Sequence, residues 1–155
     1  MRSPVAASRR RGNLRPRLER AVGQILAWEG ARGRRARVEL ALLDAAAMRR
    51  LNRRATGRRG LTDVLAFALP HPDGALLGDV YICRAAAERW VKNGGRGTGE
   101  RGRVEEELVR LTVHGTLHVL GYDHPEGRGR TRSAMWLRQE RYVRRLRGGR
   151  EGGER

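Results

Sequence analysis

His114-Gly115-Thr116-Leu117-His118-Val119-Leu120-Gly121-Tyr122-Asp123-His124 holds three of the four histidines in this chain. His114 and His118 are separated by one helical turn, so on a helix both imidazoles project from the same face. Gly121 can adopt the left-handed conformation that ends a helix. The chain can then fold back and bring His124 to the same point. Three neutral imidazoles around one cation leave a fourth position open, which is the pattern of a catalytic zinc site; a structural site would close with a fourth protein ligand. One or two histidines at this spacing also occur as hydrogen-bonded core residues. The third, placed after a glycine turn, favours the metal site, with one Zn2+ per chain held by His114, His118 and His124.

Upstream, the sequence from Leu108 is apolar on nearly every face, which predicts a buried helix through the centre of the fold. Val104 is its expected start, with Glu105, Glu106 and Glu107 in the first turn beside the positive end of the macrodipole. The glycine-rich run from Asn93 to Gly102 reads as a flexible connection. Leu18, Val22, Ile25 and Leu26 predict an amphipathic helix ending before Gly30 and Gly33. Val38 to Leu43 reads as a strand, and Asp44 as the N-cap of a helix from Ala45 to about Arg54. Leu61 to Leu69 reads as a buried strand stopped by Pro70, and Gly78 to Cys83 as its antiparallel neighbour across the Pro72-Asp73-Gly74 turn. Arg84 to Lys92 is expected to be helical. A last helix carries Met135, Trp136, Tyr142, Val143 and Leu146, with Thr131 or Ser133 as its cap.

The expected class is α/β, of the α+β kind, with the buried central helix carrying the metal ligands. The expected organisation is a flexible basic tail over 1–16, a single domain over 17–147 and a disordered tail over 148–155.

Lys and Arg total 34 against 17 Asp and Glu, giving a formal charge of +17. Such an excess favours nucleic acid as a partner. Nearly all of it is arginine, Lys92 being the one lysine, so a compositional preference for Arg also contributes. One cysteine, Cys83, excludes an internal disulfide and suggests a reducing compartment. No apolar run approaches the ~20 residues of a bilayer span, and the basic N-terminus has no hydrophobic segment behind it. A cytoplasmic protein is expected, with no membrane association and no nucleotide cofactor. Arg53, Arg54, Arg58 and Arg59 cluster in a loop that reads either as a solvated turn or as a phosphate-binding element. Asp123 reads either as a turn former or as a partner of the metal ligands.

The spacing His-x-x-x-His-x-x-Gly-x-x-His is also that of zinc peptidases, but there a Glu general base follows the first histidine. Gly115 has no side chain to move a proton, which disfavours a peptidase. The His segment resembles instead the signature of the YbeY family of endoribonucleases and rRNA maturation factors. Thr62-Asp63-Val64-Leu65-Ala66-Phe67 resembles that family's Thr-Asp-Val-Leu-Ser-Phe strand. Leu77-Gly78-Asp79-Val80-Tyr81-Ile82 resembles its Leu-Gly-Asp-Ile strand, and Leu51-Asn52 also fits. The resemblance spans roughly Val38 to Leu146, and it implies a mixed sheet of about four strands packed with about five helices. It implies zinc-dependent, single-strand-specific RNA cleavage in maturation of the small-subunit rRNA 3′ end and in ribosome quality control, with rRNA and ribosome or small-subunit assembly proteins as partners. Two positions depart from the pattern. The family's Tyr-Arg-Gly arginine aligns with Thr56, preceded by Ala55, and the strand's Ser is Ala66. Arg54 and Arg58 are the candidates to contact phosphate in place of that arginine. Either hydroxide or the RNA 2′-OH is open as the nucleophile. The reading from another functional class is a non-catalytic ribosome-assembly factor that binds RNA and uses the metal for shape.

Overall fold

The structure, a computed structural model, describes residues 14–94 and 100–148. The expected tails fall largely outside these residues, as does 95–99 of the expected flexible connection. Helix α1 spans Leu14–Trp28 and begins earlier than the apolar spacing from Leu18 suggests. Pro16 is tolerated because the first turn of a helix has no intrahelical use for its missing N–H. A short helix α2, Gly30–Arg34, leads into strand β1, Ala36–Leu43. Helix α3 follows over Ala45–Thr56, capped as expected by Asp44, whose Oδ1 accepts from the Ala47 N–H at 2.8 Å. Strands β2, Val64–Pro70, and β3, Leu76–Cys83, form a hairpin. Helix α4, Arg84–Lys92, precedes the central helix α5, Glu100–Val119, and helix α6 spans Ala134–Gly148.

The mixed α+β class is as expected. Among the described residues the sheet has three strands rather than about four, in the order β1-β3-β2. β1 runs parallel to β3, and β2 antiparallel to it. The expected buried strand from Leu61 is instead an edge strand from Val64, half-buried to exposed, with Leu69 open to solvent. Its position explains Pro70, which ends the strand and is acceptable where no outer neighbour needs a donor.

Helix α5 lies against the sheet and is flanked by α1, α4 and α6. Leu108, Val113 and Leu117 are completely buried, and they meet Leu18, Ile25, Val80, Ile82 and Met135 in one core. Each such aliphatic side chain contributes about 1.5–3 kcal/mol relative to exposure. The buried hydroxyls of Thr112 and Thr116 donate to the carbonyls one turn back, Leu108 O at 2.8 Å and Thr112 O at 2.7 Å. Two glycines let helix and sheet approach. A Cβ on Gly115 would stand 2.5 Å from Val80 Cγ1, and one on Gly78 would stand 2.3 Å from Val119 Cγ1. Because α5 starts at Glu100, Glu105–Glu107 lie in its second turn rather than its first. They act there through ion pairs: Glu105 with Arg17, and Glu106 and Glu107 with Arg110.

Candidate metal centre

α5 ends in a hydrogen-bonded reversal. The Gly121 N–H donates to His118 O and the Tyr122 N–H to Leu117 O, both at 3.0 Å, with Gly121 at φ +96°. This is the paired arrangement that a left-handed residue after a helix permits. The reversal returns His124 to the face of α5 that carries His114 and His118. Ring centroids are separated by 4.5 Å for His114–His118 and 5.0 Å for each of the other two pairs. One ring nitrogen of each imidazole lies within 4.8 Å of the other two.

The tautomers follow from the outward hydrogen bonds. His114 Nδ1 faces Gln139 Oε1 at 2.7 Å, His118 Nδ1 faces Tyr122 O at 3.0 Å, and His124 Nδ1 faces Pro125 O at 3.1 Å. Each partner is an oxygen acceptor, so each Nδ1 carries the proton and each Nε2 keeps its lone pair for the centre. The Gln139 amide is itself oriented: its NH2 donates to Glu140 Oε1 at 3.2 Å, and Arg110 holds Glu140 with two N–H groups at 2.7 and 3.2 Å. Burial pushes the His114 imidazole down to about 4, and burial also lowers His118. Both rings are therefore neutral at pH 7, as metal ligands must be. Three nitrogen donors with oriented rings are a donor set that suits zinc, and the three residues could hold a metal ion.

Other expected residues fall as follows. Asp123 Oδ1 accepts from the His124 N–H at 2.8 Å and so shapes the turn. Tyr122 supplies its carbonyl to His118 and donates its hydroxyl to Glu29 Oε2 at 2.9 Å. Asn52, buried, donates through Nδ2 to Gly60 O and so ties down the arginine loop. Thr56, at the departing position, turns its hydroxyl back to Asn52 O at 2.8 Å. Arg54 and Arg58 are exposed, and Arg58 faces Glu126 at 4.0 Å, which sets the loop beside the segment that carries His124. Cys83 is a buried strand end, and His71 is an exposed hairpin residue bonded to Asp73. Gly115 faces Val80 and Val64 of the sheet, away from the metal face, so close packing accounts for the glycine.

Two residues were not anticipated. Gln139 has a visible signal: it stands on the buried stripe of α6 with Met135, Tyr142 and Val143, where a polar side chain needs a partner. Arg130 lies in a short 3-10 turn, Arg130–Arg132, and its charge is felt at His114, His118 and Asp63. Nothing in the spacing around it marks it out from its arginine neighbours.

The family model described as Endoribonuclease YbeY matches residues 7–147. A Mycolicibacterium smegmatis protein named Endoribonuclease YbeY is 39% identical over 102 residues, 59% of this chain and 54% of that protein. One of the same name from Pelotomaculum thermopropionicum is 40% identical over 115 residues, 69% of this chain and 70% of that protein. The chain thus spans about half the length of the mycobacterial relatives it matches. A solution structure of a Thermotoga maritima protein superposes with a TM-score of 0.61 at 26% identity, covering 92% of this chain and 87% of the other.

Proposed function

Because this chain belongs to the YbeY family, we propose that it is a metal-dependent endoribonuclease that cuts single-stranded RNA. The observation that carries the reading is the convergence of three Nε2 lone pairs, each fixed by an outward Nδ1–H bond. When bound, a zinc ion supplies Lewis acidity toward a phosphate oxygen and a nucleophile at neutral pH. The protein's own part is orientation and charge. Gln139 and the Tyr122 carbonyl fix two rings, and the α5 core keeps them from relaxing outward. Arg58 borders the His124 segment through Glu126, and Arg54 and Arg58, both exposed, would contact the RNA backbone on its approach. Hydroxide and the RNA 2′-OH are both compatible with this arrangement. The proposed setting is maturation of the small-subunit rRNA 3′ end in the cytoplasm, with ribosome assembly proteins as partners. The +17 charge supports RNA as substrate. No helix among the described residues is long and apolar enough to cross a membrane.

The test compares metal-loaded wild type, His114→Ala and an Arg54/Arg58 double alanine variant on single-stranded RNA, with co-purifying nuclease controlled by the mock preparation. Cleavage lost in His114→Ala supports the reading. Cleavage unchanged in that variant, or RNA binding without turnover in wild type, supports an assembly factor instead.

A further inference from the structure

We propose that Glu29 is a positioning residue of the metal centre: its carboxylate, acting through Tyr122, holds the His118 ring with Nδ1 protonated and Nε2 free for the ion. The proposal deepens the reading above and rests on its three-histidine centre.

Glu29 lies between α1 and α2, at the residue that precedes α2. Its side chain makes no capping bond there and is only 6% exposed. A carboxylate so buried is tolerated only when it is paired. Three donors pair it. The Tyr122 hydroxyl donates to Oε2 at 2.9 Å, the Tyr142 hydroxyl to Oε1 at 2.9 Å, and an Arg138 N–H to Oε1 at 3.4 Å. Tyr142 and Arg138 belong to α6, whereas Tyr122 belongs to the reversal after α5. One side chain thus ties the α1–α2 junction and α6 to the reversal.

Tyr122 is the link to the metal ligands. Gly121, just before it, is the residue type least able to hold the backbone to one course. Beyond that glycine, Tyr122 is fixed at three atoms. Its N–H donates to Leu117 O at 3.0 Å, its carbonyl accepts from His118 Nδ1 at 3.0 Å, and its hydroxyl is held by Glu29. The Arg138 guanidinium also lies over its ring, 4.9 Å from the centroid, within cation–π reach. A ring pinned at its far end cannot swing without breaking the bond to Glu29, so the carbonyl keeps its direction toward His118. His114 has a matching support, since Gln139 is backed by Glu140 and Arg110. Two of the three rings therefore have a carboxylate and an arginine behind their acceptor, while His124 faces the carbonyl of adjacent Pro125.

The test uses the full chain as wild type, Tyr122→Phe, Glu29→Gln, the double variant of these two, and Tyr142→Phe. Zinc affinity is read by competition with a chelator. The His118 tautomer is read in metal-free protein by nitrogen NMR of ring-labelled histidine at mildly alkaline pH. Tyr122→Phe keeps the ring and removes only the bond to Glu29. Its zinc affinity should fall about 10-fold, and His118 should lose its pure Nδ1–H signature while His114, held by Gln139, keeps it. Glu29→Gln should move both readouts in the same direction but less far, because the amide keeps one acceptor oxygen. The double variant should lose no more than Tyr122→Phe alone, since the two changes remove one contact. Tyr142→Phe alters a partner of the same carboxylate that contacts none of the three histidines, and it should leave both readouts at the wild-type value. Either readout unchanged in Tyr122→Phe, or both unchanged in Glu29→Gln, overturns the proposal. So does a Tyr142→Phe loss as large as that of Tyr122→Phe, which would make the effect one of packing. If Glu29→Gln does not fold, Tyr122→Phe decides alone. Wild type that binds no zinc would instead sink the metal-dependent reading, and the metal-free tautomer arm would still decide the role of Glu29.

Discussion

His114 is set by a residue that lies 25 positions away in the chain, and the consequences can be measured at that one contact. Replacing Gln139 with Leu keeps the volume and removes the acceptor of the His114 Nδ1–H. Metal affinity should fall about 10–100-fold, read by competition with a chelator, while the circular dichroism spectrum stays native; unchanged affinity would contradict the orienting role. The same ring predicts a pH dependence. In metal-free protein, burial holds His114 at about 4 against an ordinary 6.5, so between those values the unfolded chain binds more protons. The stability contributed by the neutral ring is complete above pH 6.5 and is lost as pH falls through about 4. The difference in unfolding free energy between wild type and His114→Asn should therefore shrink on acidification from neutral pH, by on the order of 3 kcal/mol. Comparing the two proteins separates His114 from Asp63 and Glu107, whose carboxyls burial raises and which act in the opposite direction. A constant difference across urea titrations would contradict the buried neutral ring. At this scale the clustering of the three histidines was legible, because helical spacing and one glycine are local signals. Gln139 and Arg130 were not singled out, because their partners are brought by tertiary packing. The Gln139 position on an apolar stripe was a readable cue.

At the scale of elements, the approach of α5 to β3 depends on reciprocal small residues. Gly115→Ala would place a methyl group against Val80 Cγ1, and a β-branched neighbour has little freedom to move. A loss of about 1–3 kcal/mol is expected in urea unfolding, with partial recovery when Val80→Ala is added, since touching sites couple. Additive losses in the double variant would show that the contact is not the cause. The sequence placed Gly115 on the metal-bearing helix but not on its sheet-facing side, because the direction of a side chain depends on where the sheet lies. Elsewhere local chemistry read well: the Asp44 and Ser133 caps, the β2–β3 hairpin and the Gly121 reversal all follow from short-range preferences. β2 was read as buried because Val64-Leu65-Ala66-Phe67-Ala68-Leu69 is uninterrupted and apolar. Periodicity alone cannot separate a central strand from an edge strand, which is decided by strand order.

For the whole molecule, the proposed function assigns the arginine excess and the three-histidine centre two parts of one task, capture of a polyanion and cleavage of its backbone. Affinity for single-stranded RNA should fall linearly in log–log form with added salt, with a slope of about −0.7 for each phosphate neutralised. A flat response would mean that the +17 charge is compositional only. Everything else follows from whether the three imidazoles hold an ion. Elemental analysis of purified wild type and of His114→Ala, His118→Ala and His124→Ala tests this most directly. Wild type should carry one zinc per chain and each variant markedly less; wild type without bound metal after zinc loading, or variants that retain it in full, would contradict the centre.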